Sequence, residues 1–341
     1  MPQTSVERTW SPSAPRLRPV AVLGTGSGVP SRVLTNMDLE GMVDTTDEWI
    51  VTRTGIRERR VVSGEATSDL ATAAARQALV AAGVTAAQVE MIIVATVTPD
   101  ELCPPVSCRV QAALGAHRAA GFDLSAACSG FLNALFTGEK LVASGTVTNC
   151  LVIGADTMSA LTDYERRDTC VLFGDAAGAV LLGEPRDGAR IVDQLIGIDG
   201  RGADMILTPA GGSRRPATHE TVERREHFIQ MQGKDVFKFA VNKMPELVDV
   251  LLTRNGYTID DLALLVPHQA NLRILEAGAK RLGLSDDRVM VNIHRYGNTA
   301  AGSVPLALDE AVRAGRIHPA DLVCLAAFGG GLSWAGALIR W

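Results

Sequence analysis

Continuous apolar runs alternate with alanine-rich amphipathic segments along most of the chain, and this alternation predicts buried strands joined by helices. RPVAVLGTG (18–26), VEMIIVATV (89–97), GFDL (121–124), CLVIGADTM (150–158) and TCVLFGDAAGAVLLG (169–183) read as strands. Between them TSDLATAAARQALVAAG (67–83), PVSCRVQAALG (105–115) and FLNALFTGEKLVASG (131–145) read as helices, with Thr67 or Ser68 the expected cap of the first. Strands that are apolar throughout, rather than at every second position, imply a sheet covered on both faces and an α/β fold.

From 188 to 230 the pattern fades, and PAGGSRRPATHET (209–221) reads as part of a long ordered loop near a functional face. Order returns with a helix from about Lys234 to Arg254, where Pro245 is expected to kink the helix or open a fresh first turn. Strand LALLVPH (262–268), helices ANLRILEAGAKRLG (270–283) and SVPLALDEAVRAG (303–315), and strand DLVCLAAFGGG (321–331) follow. CVLFGDAAGAVLL at 170 is similar to CLAAFGGGLSWAGALI at 324, each reading as a strand, a Phe-Gly turn and a small-residue strand; VEMIIVATVTPD is likewise similar to LALLVPHQAN. A duplicated half explains both likenesses, and so does chance between two ordinary α/β halves. The expected division is an extension at 1–17, one half at 18–187 and a second at 188–341.

The 341 residues are 47% hydrophobic, enough for a substantial core, and carry a formal charge of -5. No domain-wide excess of Lys and Arg is present, which argues against a nucleic-acid protein and leaves any acidic partner to a local basic patch. The Pro- and Ser-rich opening MPQTSVERTWSPSAPR has no apolar run of signal-peptide type, and no later stretch has membrane-spanning length. The six cysteines form no CxxC pair or zinc spacing, so neither a metal nor a disulfide framework is expected, and reduced thiols suit a cytoplasmic location. GTGSG (24–28) lacks the spacing of a dinucleotide loop and reads as a turn.

Chemistry concentrates at four junctions. GFDLSAACSGF (121–131) sets Cys128 between a strand and a helix, where free N–H groups and the helix dipole favour a thiolate; a buried structural cysteine also fits. PHQAN (267–271) puts His268 at a strand tip beside Gln269 and Asn271, as a functional or a capping group. YGNTAAGS (296–303) aims Asn298 inward or uses it as a helix cap. FGGGLSW (328–334) offers free backbone N–H groups for an oxyanion, or a flexible hairpin. A cysteine, a histidine and an asparagine at three small-residue junctions make a possible nucleophilic constellation.

These motifs, with VDTTDEWIVTRTGIRERR, LFGDAAGAV, PAGGSRRPA, VPHQANLRI, YGNTAAGSVPLALDEA and AFGGGLSWAGALIRW, closely resemble the β-ketoacyl-[acyl-carrier-protein] synthase III family of thiolase-like condensing enzymes, from about Arg18 to Trp341. The resemblance implies a five-layered αβαβα fold of two similar halves, a homodimer, and an acyltransferase that starts fatty-acid synthesis. Its substrates are an acyl-CoA primer and malonyl-carrier protein; coenzyme A enters as a substrate thioester and no cofactor or metal is implied.

Position by position, Cys128 matches the family's acyl-accepting cysteine, and His268 and Asn298 its other two catalytic residues. The N–H groups of Cys128 and of a glycine such as Gly329 or Gly330 are the expected oxyanion hole. Trp49 and Arg167 match residues that sandwich the adenine of coenzyme A; Thr45, Phe237, Ala270 and Asn271 match others along the pantetheine tunnel. Lys238 and Arg273 resemble residues that meet the acidic carrier protein, and Lys234 lies one helical turn before Lys238.

Two positions depart. Cys103 stands where relatives often carry Phe, lining the acyl pocket from the neighbouring subunit, so a longer or branched primer has room unless Pro104 and Pro105 refill the gap. Asp168 replaces a common Gly beside the nucleotide. A starter-unit ketosynthase or acyltransferase on the same fold, and a non-catalytic carrier-protein-binding module, are the alternatives.

Overall fold

A computed structural model describes residues 17–341, so all but Leu17 of the expected extension at 1–17 lies outside the described residues. The main strands are β1 (Ala21–Gly28), β2 (Met91–Ala95), β3 (Ala120–Leu124), β4 (Asn149–Thr157), β5 (Asp175–Gly183), β6 (Arg190–Ile198), β7 (Leu264–Pro267), β8 (Leu322–Gly329) and β9 (Ser333–Arg340). The main helices are α1 (Asp47–Thr54), α2 (Thr67–Ala82), α3 (Val106–Leu114), α4 (Gly130–Ala143), α5 (Gly233–Thr253), α6 (Leu272–Leu282) and α7 (Ser303–Arg313).

The strands form two large sheets, one ordered β1-β5-β4-β2-β3 and the other β7-β8-β9-β6. In the first, β1, β5 and β4 run antiparallel to their neighbours, and β4, β2 and β3 run parallel. Read from its other end, the second sheet repeats that sequence: β6, β9 and β8 antiparallel, then β8 and β7 parallel. A lone parallel bridge between Leu265 and Val289 sits where β3 stands in the first sheet.

Because the strands are apolar on both faces, consecutive residues feed different cores. Ile92 and Val94 pack with Leu70, Ala74 and Ala78 of α2 and Val106 and Val110 of α3. Ile93 and Val152 point the other way, into a central core with Phe131 and Leu135 of α4, Val304 and Leu308 of α7, and Val266 and Leu325 from the second sheet. Leu265, Cys324 and Leu338 close a third core against Met244 and Val248 of α5 and Ile274 of α6. The result is five layers, with α4 and α7 sandwiched between the sheets.

Several sequence expectations need correction. GTGSG is not a turn but the second half of β1. Its alternate glycines share one face, and a Cβ on Gly24, Gly26 or Gly28 would stand 2.5, 2.3 or 2.2 Å from a backbone oxygen of α2. The period of two that a strand imposes therefore lets an alanine-rich helix lie directly on the backbone. Neither Thr67 nor Ser68 caps α2. Ala66 is the N-cap residue, its N–H donating to the Asp69 carboxylate, while the Thr67 hydroxyl donates to the Thr98 carbonyl at 2.6 Å.

The span 188–230 is not all loop, since it contains β6, an edge strand whose outward residues include exposed Ile196 and Ile198 and whose pattern is diluted by Asp193, Gln194 and Gly197. Within 169–183 only Asp175–Gly183 is strand; Arg167–Cys170 forms a short helix, so the true counterpart of the β8–β9 hairpin is the β4–β5 pair. Pro245 lies inside an uninterrupted α5 and opens no new first turn.

Candidate active site

The 121–131 stretch ends β3, bends, and enters α4 through a tight turn at Ala127–Ser129. Ala127 holds φ at +49°, a left-handed value uncommon for a residue with a Cβ. The turn is pinned by the Ser129 hydroxyl, which donates to the Ala126 carbonyl at 2.8 Å, and by Asn133, whose amide donates to the Ser129 carbonyl at 3.0 Å. Ser333 Oγ donates to the same Ala126 carbonyl, so β9 of the second sheet braces the turn of the first.

Burial and then the nearby Asp156 charge push the Cys128 thiol up to about 12, against a smaller favourable backbone hydrogen bond. This corrects the expectation of a resting thiolate: desolvation outweighs the helix end, and the group is a neutral thiol at neutral pH.

His268 follows β7, with its backbone N–H donating to the Ala326 carbonyl at 2.8 Å and its ring edge-on to Phe328 at 5.7 Å. It is 1% exposed, its Nδ1 has no hydrogen-bond partner among the described residues, and burial lowers its pKa to about 3. The imidazole is neutral. Gln269, beside it, has a structural part: its amide donates to the Pro267 and Met290 carbonyls, and its oxygen accepts from the Asn292 and Ile293 N–H groups.

Asn298 sits in the turn before α7. Its backbone N–H donates to the Leu172 carbonyl at 2.8 Å, and its side-chain oxygen accepts from the Ala300 N–H at 3.0 Å. With the oxygen engaged, the two Nδ2 hydrogens remain as donors with no partner among the described residues. Ala300 also occupies the left-handed region, at φ +44°. Gly297 permits the bend at φ +65°, where a Cβ would stand 2.8 Å from the Leu172 oxygen.

Cys128, His268 and Asn298 line one cavity together with Phe237, Ala270, Asn271, Gly329 and Gly330. The rest of its wall is largely apolar, including Met158, Phe173, Ile206, Ile229, Met231 and Phe328. Among the described residues Cys128 and His268 are the two titratable side chains in the lining, with no Asp, Glu, Lys, Arg or Tyr. Ile206 and Ile229 come from the 188–230 span, so that segment does border the site. They were missed because Ile206 opens a strand of two residues and Ile229 only precedes another, Gln230–Met231, too short for a readable periodicity.

Of the other predicted residues, Thr45, Trp49, Arg167, Asp168, Lys234, Lys238, Arg273 and Cys103 lie outside this lining. The Arg167 guanidinium is stacked directly over Trp49 at 4.7 Å and donates to the Asp44 carbonyl at 2.8 Å. The Thr45 hydroxyl is buried without a partner among the described residues. Asn271 caps α6 through the Arg273 N–H and ties it to α1 through the Arg53 carbonyl. Lys234, Lys238 and Arg273 are exposed, and the Arg273 guanidinium lies 5.7 Å from the Phe237 ring. Asp168 pairs with Arg166 at 2.9 Å. Cys103 is exposed and away from the cavity of its own chain. Among the described residues no cluster of three His, Cys, Asp or Glu is placed to hold a metal, and no helix is long and apolar enough to cross a membrane.

Paired sheets of matching order, five layers and a cysteine turn facing a His- and Asn-lined cavity define the thiolase-like condensing class. Residues 122–200 match the family described as 3-oxoacyl-[acyl-carrier-protein (ACP)] synthase III, and residues 252–341 match its C-terminal family. A β-ketoacyl-[acyl-carrier-protein] synthase III of Symbiobacterium thermophilum is 51% identical over 327 residues, covering 96% of this chain and 99% of the relative. That of Caldanaerobacter subterraneus is 52% identical over 321 residues, covering 94% and 97%. The crystal structure of 3-oxoacyl-[acyl-carrier-protein] synthase III from Aquifex aeolicus superposes with a TM-score of 0.88 at 41% identity, covering 94% of this chain and 100% of the other. The priming β-ketosynthase of the R1128 polyketide pathway gives 0.88 at 38% identity, covering 96% and 98%. The chain belongs to the β-ketoacyl-[acyl-carrier-protein] synthase III family.

Proposed function

We propose that the protein condenses an acyl-CoA primer with malonyl-carrier protein, with loss of carbon dioxide, to start fatty-acid synthesis. The observation that carries this reading is the convergence of Cys128, His268 and Asn298 on one largely apolar cavity, in whose wall no described residue places a carboxylate, ammonium or guanidinium.

In the first stage the Cys128 sulfur attacks the primer thioester, its proton passes to the departing coenzyme A sulfur, and an acyl-Cys128 thioester and free coenzyme A result. Since the thiol is neutral at rest, proton loss accompanies attack as the departing coenzyme A sulfur takes up the proton. The N–H groups of Cys128 and of Gly329 or Gly330 are assigned to the developing oxyanion, where each donor is worth on the order of 100- to 1,000-fold.

In the second stage the malonyl carboxylate leaves as carbon dioxide and its electron pair forms an enolate. A neutral imidazole and the free Asn298 amide donors suit the enolate oxygen, and an apolar wall disfavours the starting carboxylate more than the dispersed enolate charge. The carbanion attacks acyl-Cys128, giving a 3-oxoacyl-carrier protein and expelling the Cys128 thiolate, which takes a proton from solvent to restore the resting thiol.

Lys234, Lys238 and Arg273, near the Phe237 side of the cavity, are assigned to the acidic carrier protein. Thr45, Phe237, Ala270 and Asn271 are assigned to the pantetheine arm. Trp49 and Arg167 are assigned to the adenine, which needs roughly 7 Å between their faces, two van der Waals contacts, so Arg167 swings off Trp49 on binding.

A homodimer is supported by the edge strand β3, whose Ala120, Gly121 and Phe122 are exposed, and by Leu102, 91% exposed beside Cys103. In such a dimer Cys103 belongs to the partner's acyl pocket. The division at 187 and 188 is supported by the repeated strand order, and a cytoplasmic location by six unpaired cysteines. The likeness to a polyketide priming ketosynthase favours a second reading, in which the same condensation starts a polyketide chain.

Purified protein incubated with acetyl-CoA and malonyl-carrier protein tests the proposal: 3-oxoacyl-carrier protein and carbon dioxide are expected in equal amounts. Acyl transfer without carbon dioxide release would contradict it, as would binding without turnover.

A further inference from the structure

Asp156, at the end of β4, is a fully buried carboxylate with no cation against it among the described residues. One oxygen accepts from the Val97 N–H at 2.8 Å and from the Thr96 and Thr98 hydroxyls at 3.0 and 3.2 Å; the other accepts from the Ala301 N–H at 2.8 Å. Each of these donors belongs to a segment that shapes the cavity. Val97 is part of its wall, and Ala301 follows Ala300, whose N–H holds the Asn298 side-chain oxygen. Adjacent N–H groups of one turn are thus taken by Asn298 and by Asp156.

A carboxylate is the side chain this position calls for. Four donors converge on two oxygens, and every one of them is satisfied by an acceptor-only group. An amide of the same shape turns its NH2 toward at least one existing donor, leaving an unpaired N–H in the interior. The buried charge itself lies close enough to Cys128 to oppose ionisation of the thiol, so its retention is not explained by activation of the nucleophile.

We propose that Asp156 is a positioning residue for condensation: by tying the Ala300–Gly302 turn to the Val97 wall, it fixes the direction in which the Asn298 amide donates. The proposal rests on the assignment of Asn298 to malonyl decarboxylation and deepens it. Asp156 touches no substrate.

Asp156→Asn, Asn298→Ala and the double variant test it, each assayed for acylation of Cys128 by acetyl-CoA through intact mass and for malonyl-dependent carbon dioxide release. Asp156→Asn is expected to keep acylation within about threefold or to quicken it, while carbon dioxide release falls roughly 10- to 100-fold. In the Asn298→Ala background it should add no further loss, because both changes remove the same directed donor. Equal losses in the two assays, or losses that multiply in the double variant, would overturn the proposal and leave Asp156 a fold residue. Full carbon dioxide release by Asn298→Ala alone would overturn the assignment of Asn298 and the proposal with it. Should Asp156→Asn fail to fold, Thr96→Val removes one donor and keeps the charge; it should show a smaller loss confined to carbon dioxide release, and a loss shared with acylation would count against the proposal.

Discussion

The backbone of Gly329 lies against Cys128, so that a Cβ built on Gly329 would stand 2.8 Å from the Cys128 Cβ and 2.9 Å from its nitrogen. The end of β8 in one sheet therefore abuts the nucleophile turn of the other, leaving no room for any side chain between them. Gly329→Ala must displace either the cysteine or the strand end to which the second oxyanion donor is assigned. Acylation of Cys128 should fall by roughly 100-fold or more with little change in the melting profile. Stopped-flow acylation rates near those of the unchanged protein would show that this contact does not set the oxyanion geometry.

His268 and Asn298 are expected to act after acylation. His268→Ala and Asn298→Ala should each still take one acyl group onto Cys128 but lose malonyl decarboxylation by about 100-fold or more. Should neither variant acylate, the division of labour between the two stages would be wrong.

The buried imidazole predicts a pH dependence of definite sign. With a folded pKa lowered to about 3 from 6.5, the native state binds fewer protons at His268 than the unfolded chain does in this window. Stability from this site is present above pH 6.5 and is lost as pH falls toward 3, with a slope of up to about 1.4 kcal/mol per pH unit. Denaturant melts between pH 4 and 6.5 should show a shallower acid slope for His268→Gln. Equal slopes, or a carbon dioxide release profile that breaks near pH 6.5 in the wild type alone, would mean that His268 titrates normally.

Much of the layered fold was legible because a doubly covered sheet writes an unbroken apolar run for each strand, as in Met91–Ala95 and Leu322–Gly329. β6 was not, because an edge strand needs only half that signal. The glycines of β1 misled because GTGSG has turn composition, while the helix that demands them is about fifty residues away in sequence. Cys128, His268 and Asn298 stood out by residue type at strand-to-helix junctions and by family resemblance. Asp156 had one available signal, a carboxylate in the otherwise apolar CLVIGADTM, and its donors come from 96–98 and 301, which no local pattern connects. The raised thiol was illegible for a similar reason: the helix end is local, whereas burial is a property of the assembled cavity.

The close packing of β1 on α2 gives a stability prediction. Gly26→Ala places a methyl group 2.3 Å from the Ala74 carbonyl oxygen. It should destabilise the fold by about 1–3 kcal/mol or more, visible as a lower thermal midpoint. An unchanged midpoint would mean that α2 moves away from β1 at little cost.

Cys128 as the acyl carrier is tested most directly by intact mass after incubation with an equimolar mixture of acetyl-, isobutyryl- and octanoyl-CoA, followed by peptide mapping. One acyl group, confined to the Cys128 peptide and absent from the other five cysteines, is the predicted result. No adduct with any of the three, or an adduct on a different cysteine, would contradict it.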